Sequence, residues 1–111
     1  MNDPSTTLAE IKARIAEFAH QRDWARYHTP KNLACAVSAE AGELLELFLW
    51  QEEASRERVE EEAADVAICL LNLCHVAGID LAAAIERKMA QNAAKYPADK
   101  VRGSARKYDE Y

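Results

Sequence analysis

SAEAGELLELFLW (residues 38–50) followed by VEEEAADVAICLLNLC (residues 59–74) decides the fold. In the first stretch Glu40 and Glu43 stand at i and i+3, and in the second Glu62 and Asp65 repeat that spacing. Apolar residues recur around both pairs at steps of three and four, the period of a helix with one dry face. At about 100° per residue, Glu40 projects between Leu44 and Leu47, with Glu43 at the edge of that sector. The same projection sets Glu62 among Val59, Val66, Cys69 and Leu73, Asp65 at the corresponding edge and Glu60 on the opposite side. Two consecutive helices are thus expected to turn paired acids toward an apolar interior.

Outward from this pair the punctuation is helical. Thr7 followed by Glu10 forms a capping box for a first helix that reaches about Gln21 through Leu8, Ile11, Ile15 and Phe18. A polar, aromatic connector, RDWARYH, leads to Thr29 and Pro30, an N-cap with proline at the first helical position. The second helix is expected from Pro30 to Trp50, with Leu33, Val37, Ala41, Leu44 and Phe48 on its apolar face. QEEAS interrupts the pattern, and Ser55 caps a third helix whose apolar positions Val59, Val66, Cys69, Leu70, Leu73 and Val76 run to a stop at Gly78. Asp80 caps a fourth helix with Leu81, Ala84, Ile85 and Met89, which ends before Pro97. From about residue 97 a tail carries Lys100, Arg102, Arg106 and Lys107.

Composition agrees with that reading. A chain of 111 residues, 50% hydrophobic, suits one domain over 1–111, and only three glycines and three prolines speak against a turn-rich sandwich or barrel. The expected fold is an all-α four-helix bundle. No uncharged apolar run approaches the roughly 18 residues that cross a bilayer, and MNDPSTTLAEIK has neither a basic nor an apolar leader region. A cytoplasmic protein with no membrane partner is expected. Cys35, Cys69 and Cys74 are odd in number, contain no CxxC pair and read as reduced core residues. With 14 basic against 19 acidic residues, net charge −5, the chain lacks the basic stripe that a nucleic-acid polymer requires.

Four inward carboxylates cannot all stay ionised without compensation, because desolvation and mutual repulsion both oppose the charged form. A divalent cation resolves the conflict. An all-oxygen ligand set, Glu40, Glu43, Glu62 and Asp65, suits Mg²⁺ or Mn²⁺ held together with substrate phosphates. A di-iron bundle would supply Glu-x-x-His pairs, whereas these i+3 positions hold Glu43 and Asp65. Without the four acids the chain has 15 acidic and 14 basic residues, so four of the five excess negative charges belong to this set. Solvated surface acids are the ordinary explanation for one such pair. Two inward-facing pairs on successive helices reverse that balance.

Trp24 and Trp50 follow the first and second helices in polar settings, open both to core anchoring and to stacking on a base. Lys88, Asn92 and Lys95 or Tyr96 form a polar row that could meet phosphates and sugar hydroxyls, or simply water. His20, His28 and His75 show no ligand spacing and are assigned to surface or loops. A small chain with a polar site inside gains by sharing apolar faces, so a homo-oligomer is expected.

Taken together, GEL and ELFLW after Glu40, EEEAADV, KMAQNAAKYP and RGSARKY resemble the MazG-type all-α nucleoside triphosphate pyrophosphohydrolases, most closely their dCTP pyrophosphatase branch. The resemblance spans nearly the whole chain. It implies hydrolysis of a (deoxy)nucleoside triphosphate, dCTP or a related pyrimidine nucleotide, to the monophosphate and pyrophosphate. Glu40, Glu43, Glu62 and Asp65 match the family's Mg²⁺ ligands, Trp24 and Trp50 its base-flanking aromatics, and Lys88, Asn92 and Tyr96 its phosphate- or sugar-contacting positions. The resemblance also implies homodimers or homotetramers with sites at subunit contacts. Glu43 is the candidate base toward the attacking water. The chain departs from vertebrate members at Ile15 and Cys69, where they carry histidine and tyrosine, and its QEEAS linker is shorter. Rival readings are a non-catalytic helical module that binds a nucleotide or protein, and a same-fold pyrophosphohydrolase for another nucleotide.

Overall fold

The computed structural model describes residues 1–105, and among them every regular element is helical. They are α1 (Leu8–Gln21), a 3₁₀ turn (Ala25–Tyr27), α2 (Pro30–Glu46), α3 (Arg56–Ala77), α4 (Leu81–Lys95) and α5 (Ala98–Val101). All four expected caps form. Thr7, Thr29 and Ser55 hydroxyls accept the amides of Glu10, Asn32 and Arg58 at 3.1, 3.1 and 3.2 Å, and the Asp80 carboxylate accepts that of Ala83 at 3.0 Å. Each satisfies one of the amides a helix start leaves without an internal partner.

The helices fall into two compact units, residues 1–79 and the chain from Asp80 onward. In the first, α3 is the central element, packed against both α1 and α2. Its core is Ala19, Leu33, Leu47, Leu71 and Cys74, with Asn72 the one buried polar residue among those described. Lys12 Nζ donates to the Ile79 carbonyl at 2.6 Å, tying α1 to the chain just past α3. The second unit consists of α4 and the single turn of α5. Among the described residues no single helix is long and apolar enough to cross a membrane.

Several expectations need correction. α2 stops at Glu46, four residues before Trp50, because Leu47, Phe48 and Leu49 turn to i−3 carbonyls and Gln51 Nε2 occupies the Leu47 carbonyl at 2.6 Å. Its last turn tightens into an irregular segment. Leu47, just past the helix end, is buried, whereas Ala41 and Phe48 are exposed. On α3 the buried stripe is Leu71, Asn72 and Cys74 while Leu70 and Val76 lie open, since α3 meets α1 as well as α2 and its dry sector falls between them. Cys35, read as core, is exposed, because Leu33 and Ala36 take the packed side of α2. The tail contains α5, begun by Pro97. Arg106 and Lys107 lie outside the described residues.

Two helix ends close in the same way. At the end of α3 the Ile79 amide reaches back to the Cys74 carbonyl at 2.8 Å and Gly78 adopts φ 69°. At the end of α1 the Trp24 amide bonds the Ala19 carbonyl at 2.9 Å, the Asp23 amide bonds that of His20 at 3.0 Å, and Asp23 takes φ 55°. Both are Schellman closures, with the left-handed residue filled by glycine once and aspartate once. A β-carbon at Gly78 meets no atom within 4 Å, so only backbone conformation opposes it. Gly78→Ala should therefore cost about 1 kcal/mol, measurable by urea unfolding at unchanged m-value.

Candidate functional site

Antiparallel pairing of α2 and α3 brings two stretches distant in sequence together. Asn32, Leu33 and Ala36 near the start of α2 face Ile68, Cys69 and Asn72 late in α3, while Glu43 and Leu47 near the end of α2 face Arg58 and Glu62 early in α3. Between these levels lie Glu40 and Asp65, which with Glu62 each offer a carboxylate oxygen within 4.8 Å of the others. Glu40 and Glu62 are half-buried and Asp65 is exposed. One oxygen of each half-buried acid, Glu40 Oε2 and Glu62 Oε2, is enclosed without a hydrogen-bond partner among the described residues. Buried acceptors left this way are unfavourable unless something else takes their lone pairs.

Glu43 is exposed and stands outside that trio, yet its carboxyl bears on the titration of both Glu40 and Glu62. The Glu40 carboxyl is pushed above its ordinary value of 4.5 by the hydrogen bond with Glu43 first, then by desolvation and the charges of Glu43, Asp65 and Glu62. Glu62 is raised by desolvation first and then by Glu43 and Asp65, with Arg58 acting in the opposite direction. The set fits a hard cation: its donors are all oxygen, two are orphaned, and their own repulsion holds protons that a cation would replace. Beside it opens a polar cleft of about 480 Å³ lined by Glu43, Glu46, Leu47, Gln51, Arg58 and Glu62.

One turn along both helices from the acids, Ala36 and Cys69 open onto an apolar cavity of about 240 Å³. Ile15, Phe18, Leu33 and Ile68 form its sides, and Trp24 forms a wall. The Schellman closure of α1 sets Trp24 in place, and its ring meets Phe18 edge-on at 5.9 Å and 66°. This pairs the residue three past the helix end with one in the last full turn, as that motif commonly does. The Cys69 thiol is pushed up by burial first and by the charges of Glu40 and Asp65 next, so the field of the acids reaches this cavity.

His28, assigned to surface or loop from sequence, does lie in the connector just past the 3₁₀ turn, half-buried against this cavity and bonded to Asn72. Trp50 does not line the cavity and is 97% exposed. Lys88, Asn92, Lys95 and Tyr96 all lie on α4 or at its end, in the second unit. Arg58 and Asn72 escaped the sequence reading, as did the cavity-lining place of His28; Asn72 carried a faint signal as an amide inside the apolar run CLLNLC.

A family model for MazG-like proteins matches residues 35–111, which contain all four acids. The chain belongs to the MazG-like family. This MazG-like chain is 42% identical to dCTP pyrophosphatase 1 of Homo sapiens over 96% of its own length and 69% of that protein. The Rattus norvegicus protein of the same name is 41% identical over 95% and 68%. A pyrophosphatase from Archaeoglobus fulgidus superposes with a TM-score of 0.78 at 42% identity, covering 87% of this chain and 98% of that one. With these relatives, the MazG-like chain is an enzyme of the pyrophosphatase type.

Proposed function

We propose that residues 1–111 act as one domain that hydrolyses a pyrimidine deoxynucleoside triphosphate, dCTP or a close relative, to the monophosphate and pyrophosphate with Mg²⁺. The observation that carries this reading is the acidic trio with two orphaned oxygens, one helical turn from an apolar cavity walled by an indole. Glu40, Glu62 and Asp65 would hold the cation, which supplies charge neutralisation on the triphosphate and on the leaving pyrophosphate. Glu43, outside the trio and lining the cleft beside it, accepts a proton from water as the oxygen attacks the α-phosphorus and the bond to the bridging oxygen breaks. Arg58, in the cleft beside the acids, meets phosphate oxygens.

The end of α2 and the turn after it leave Leu45, Phe48, Leu49 and Trp50 exposed together, a patch that favours a homodimer or homotetramer. Light scattering at micromolar concentration should give a multiple of 12.4 kDa, and an active monomer would exclude it. The deciding experiment is a panel of common and modified triphosphates with Mg²⁺, Mn²⁺ or chelator, scored for monophosphate and pyrophosphate. Binding without release would make the chain a nucleotide-binding module instead.

Core anchoring for the two tryptophans is at odds with their exposure, 48% for Trp24 and 97% for Trp50. Trp24→Ala should raise KM for the favoured triphosphate by roughly 5- to 150-fold, the loss of one stacked base. Trp50→Ala should move stability by no more than about 0.5 kcal/mol. A Trp24→Ala enzyme with unchanged KM would remove the wall from the base.

A further inference from the structure

Asn72 is 6% exposed, yet it lines a cavity with apolar sides, Ile15, Phe18, Leu33 and Ile68, where the other polar side chains are His28 and Asn32, the latter's amide nitrogen already given to the Tyr27 carbonyl at 2.9 Å. Its Nδ2 lies 3.0 Å from His28 Nδ1, and among the described residues this is its side-chain hydrogen bond. An amide nitrogen can only donate, so in this contact Nδ1 is the acceptor. An asparagine amide is ambidextrous: either end can be turned to a ligand, at nearly equal shape. His28 removes that freedom by holding the nitrogen end. What remains for an occupant is Oδ1 as acceptor beside the second N–H as donor.

We propose that Asn72, oriented by His28, selects a base with an exocyclic amine next to an unprotonated ring nitrogen, cytosine rather than uracil or thymine. The N4 amine of cytosine donates to Oδ1 while N3 accepts from the amide N–H. Uracil and thymine present the reverse pattern, O4 and N3–H, which sets acceptor against acceptor and donor against donor. Beside an apolar lining and a buried amide such a mismatch leaves four polar groups unpaired, the condition under which hydrogen-bond readout discriminates most strongly. His28 is a positioning residue here and Asn72 the group that touches the base. This inference rests on the proposed function and specifies which edge of the base the cavity reads.

The test is kcat/KM on dCTP against dUTP, which differ only at this edge, for the wild-type enzyme, Asn72→Ala and His28→Phe. The wild type should favour dCTP by at least about tenfold. Asn72→Ala should collapse that ratio through a higher KM for dCTP, and His28→Phe should collapse it through a lower KM for dUTP, since the freed amide turns over. The opposite directions separate selection from general damage to the fold. Should Asn72→Ala fail to fold, the wild-type ratio and the His28→Phe enzyme still decide. Pyrophosphate release from both nucleotides at equal efficiency, or a ratio unmoved in folded variants, would overturn the inference alone. No release from any triphosphate would instead remove the proposed activity, and the inference with it.

Discussion

Glu40→Gln, Glu62→Gln and Asp65→Asn should each lower turnover by at least about a hundredfold, and Glu43→Gln should do the same. For the first three the lost group is a cation ligand, so transition-state charge goes unneutralised; for Glu43 it is the proton acceptor. Stability should move the other way. In the cation-free chain Glu40 and Glu62 have carboxyls raised above 4.5, the first chiefly by the Glu43 hydrogen bond and the second chiefly by burial. A folded-state value above the unfolded one means that protonation favours folding, so this stabilisation is present at low pH and is lost as pH climbs through the raised values. The melting temperature with chelator should therefore fall over that interval more steeply for the wild type than for Glu40→Gln or Glu62→Gln. At neutral pH both variants should melt higher than the wild type. Added Mg²⁺ should reverse the order, since only the wild-type set holds it fully. Two acid variants with near-normal turnover would refute the site.

Leu71→Ala should cost about 2 to 5 kcal/mol and lower the melting temperature by roughly 10 to 20 °C. Leu71 is 6% exposed on α3, the helix that touches both α1 and α2, and the fully buried apolar set among the described residues is small. With so few such side chains, each carries a large share of a stability that totals only about 5 to 15 kcal/mol for a domain. Leu70→Ala, one residue earlier and 36% exposed, serves as the control and should cost clearly less. Equal losses at the two positions would show that Leu70 is covered in solution, by a second copy of the chain.

The caps, helix order and acidic pairs were legible because each depends on near neighbours in sequence. A hydroxyl at an N-cap needs only the amide three residues on, and two acids at i and i+3 share a face wherever the helix lies. What was not legible came from contacts between helices. α3 packs against two neighbours, so its buried stripe includes Leu71 and Asn72 instead of the single face that periodicity traces. His28 is the loop residue it looked to be, but nothing local announces its link to Asn72, 44 positions away. The end of α2 was overrun because LELFLW keeps an apolar helical pattern, while the Gln51 side chain that claims the Leu47 carbonyl lies beyond it. Which acids cluster most tightly was not legible either: spacing ranks Glu43 with Asp65, while the close group is Glu40, Glu62 and Asp65.

The left-handed aspartate at the end of α1 links the cavity to the durability of one helical turn. Trp24 is held by its amide on the Ala19 carbonyl and its ring on Phe18, both within the final turns of α1, so fraying from that end dismantles the aromatic wall before any core contact breaks. Helix ends open far more often than whole domains unfold. The empty cavity thus has a hinged side, and an occupant stacked on the indole would fasten that side shut. Asp23 tunes the hinge: glycine, at ease with φ 55°, would hold it closed longer, and a β-branched residue would leave it ajar.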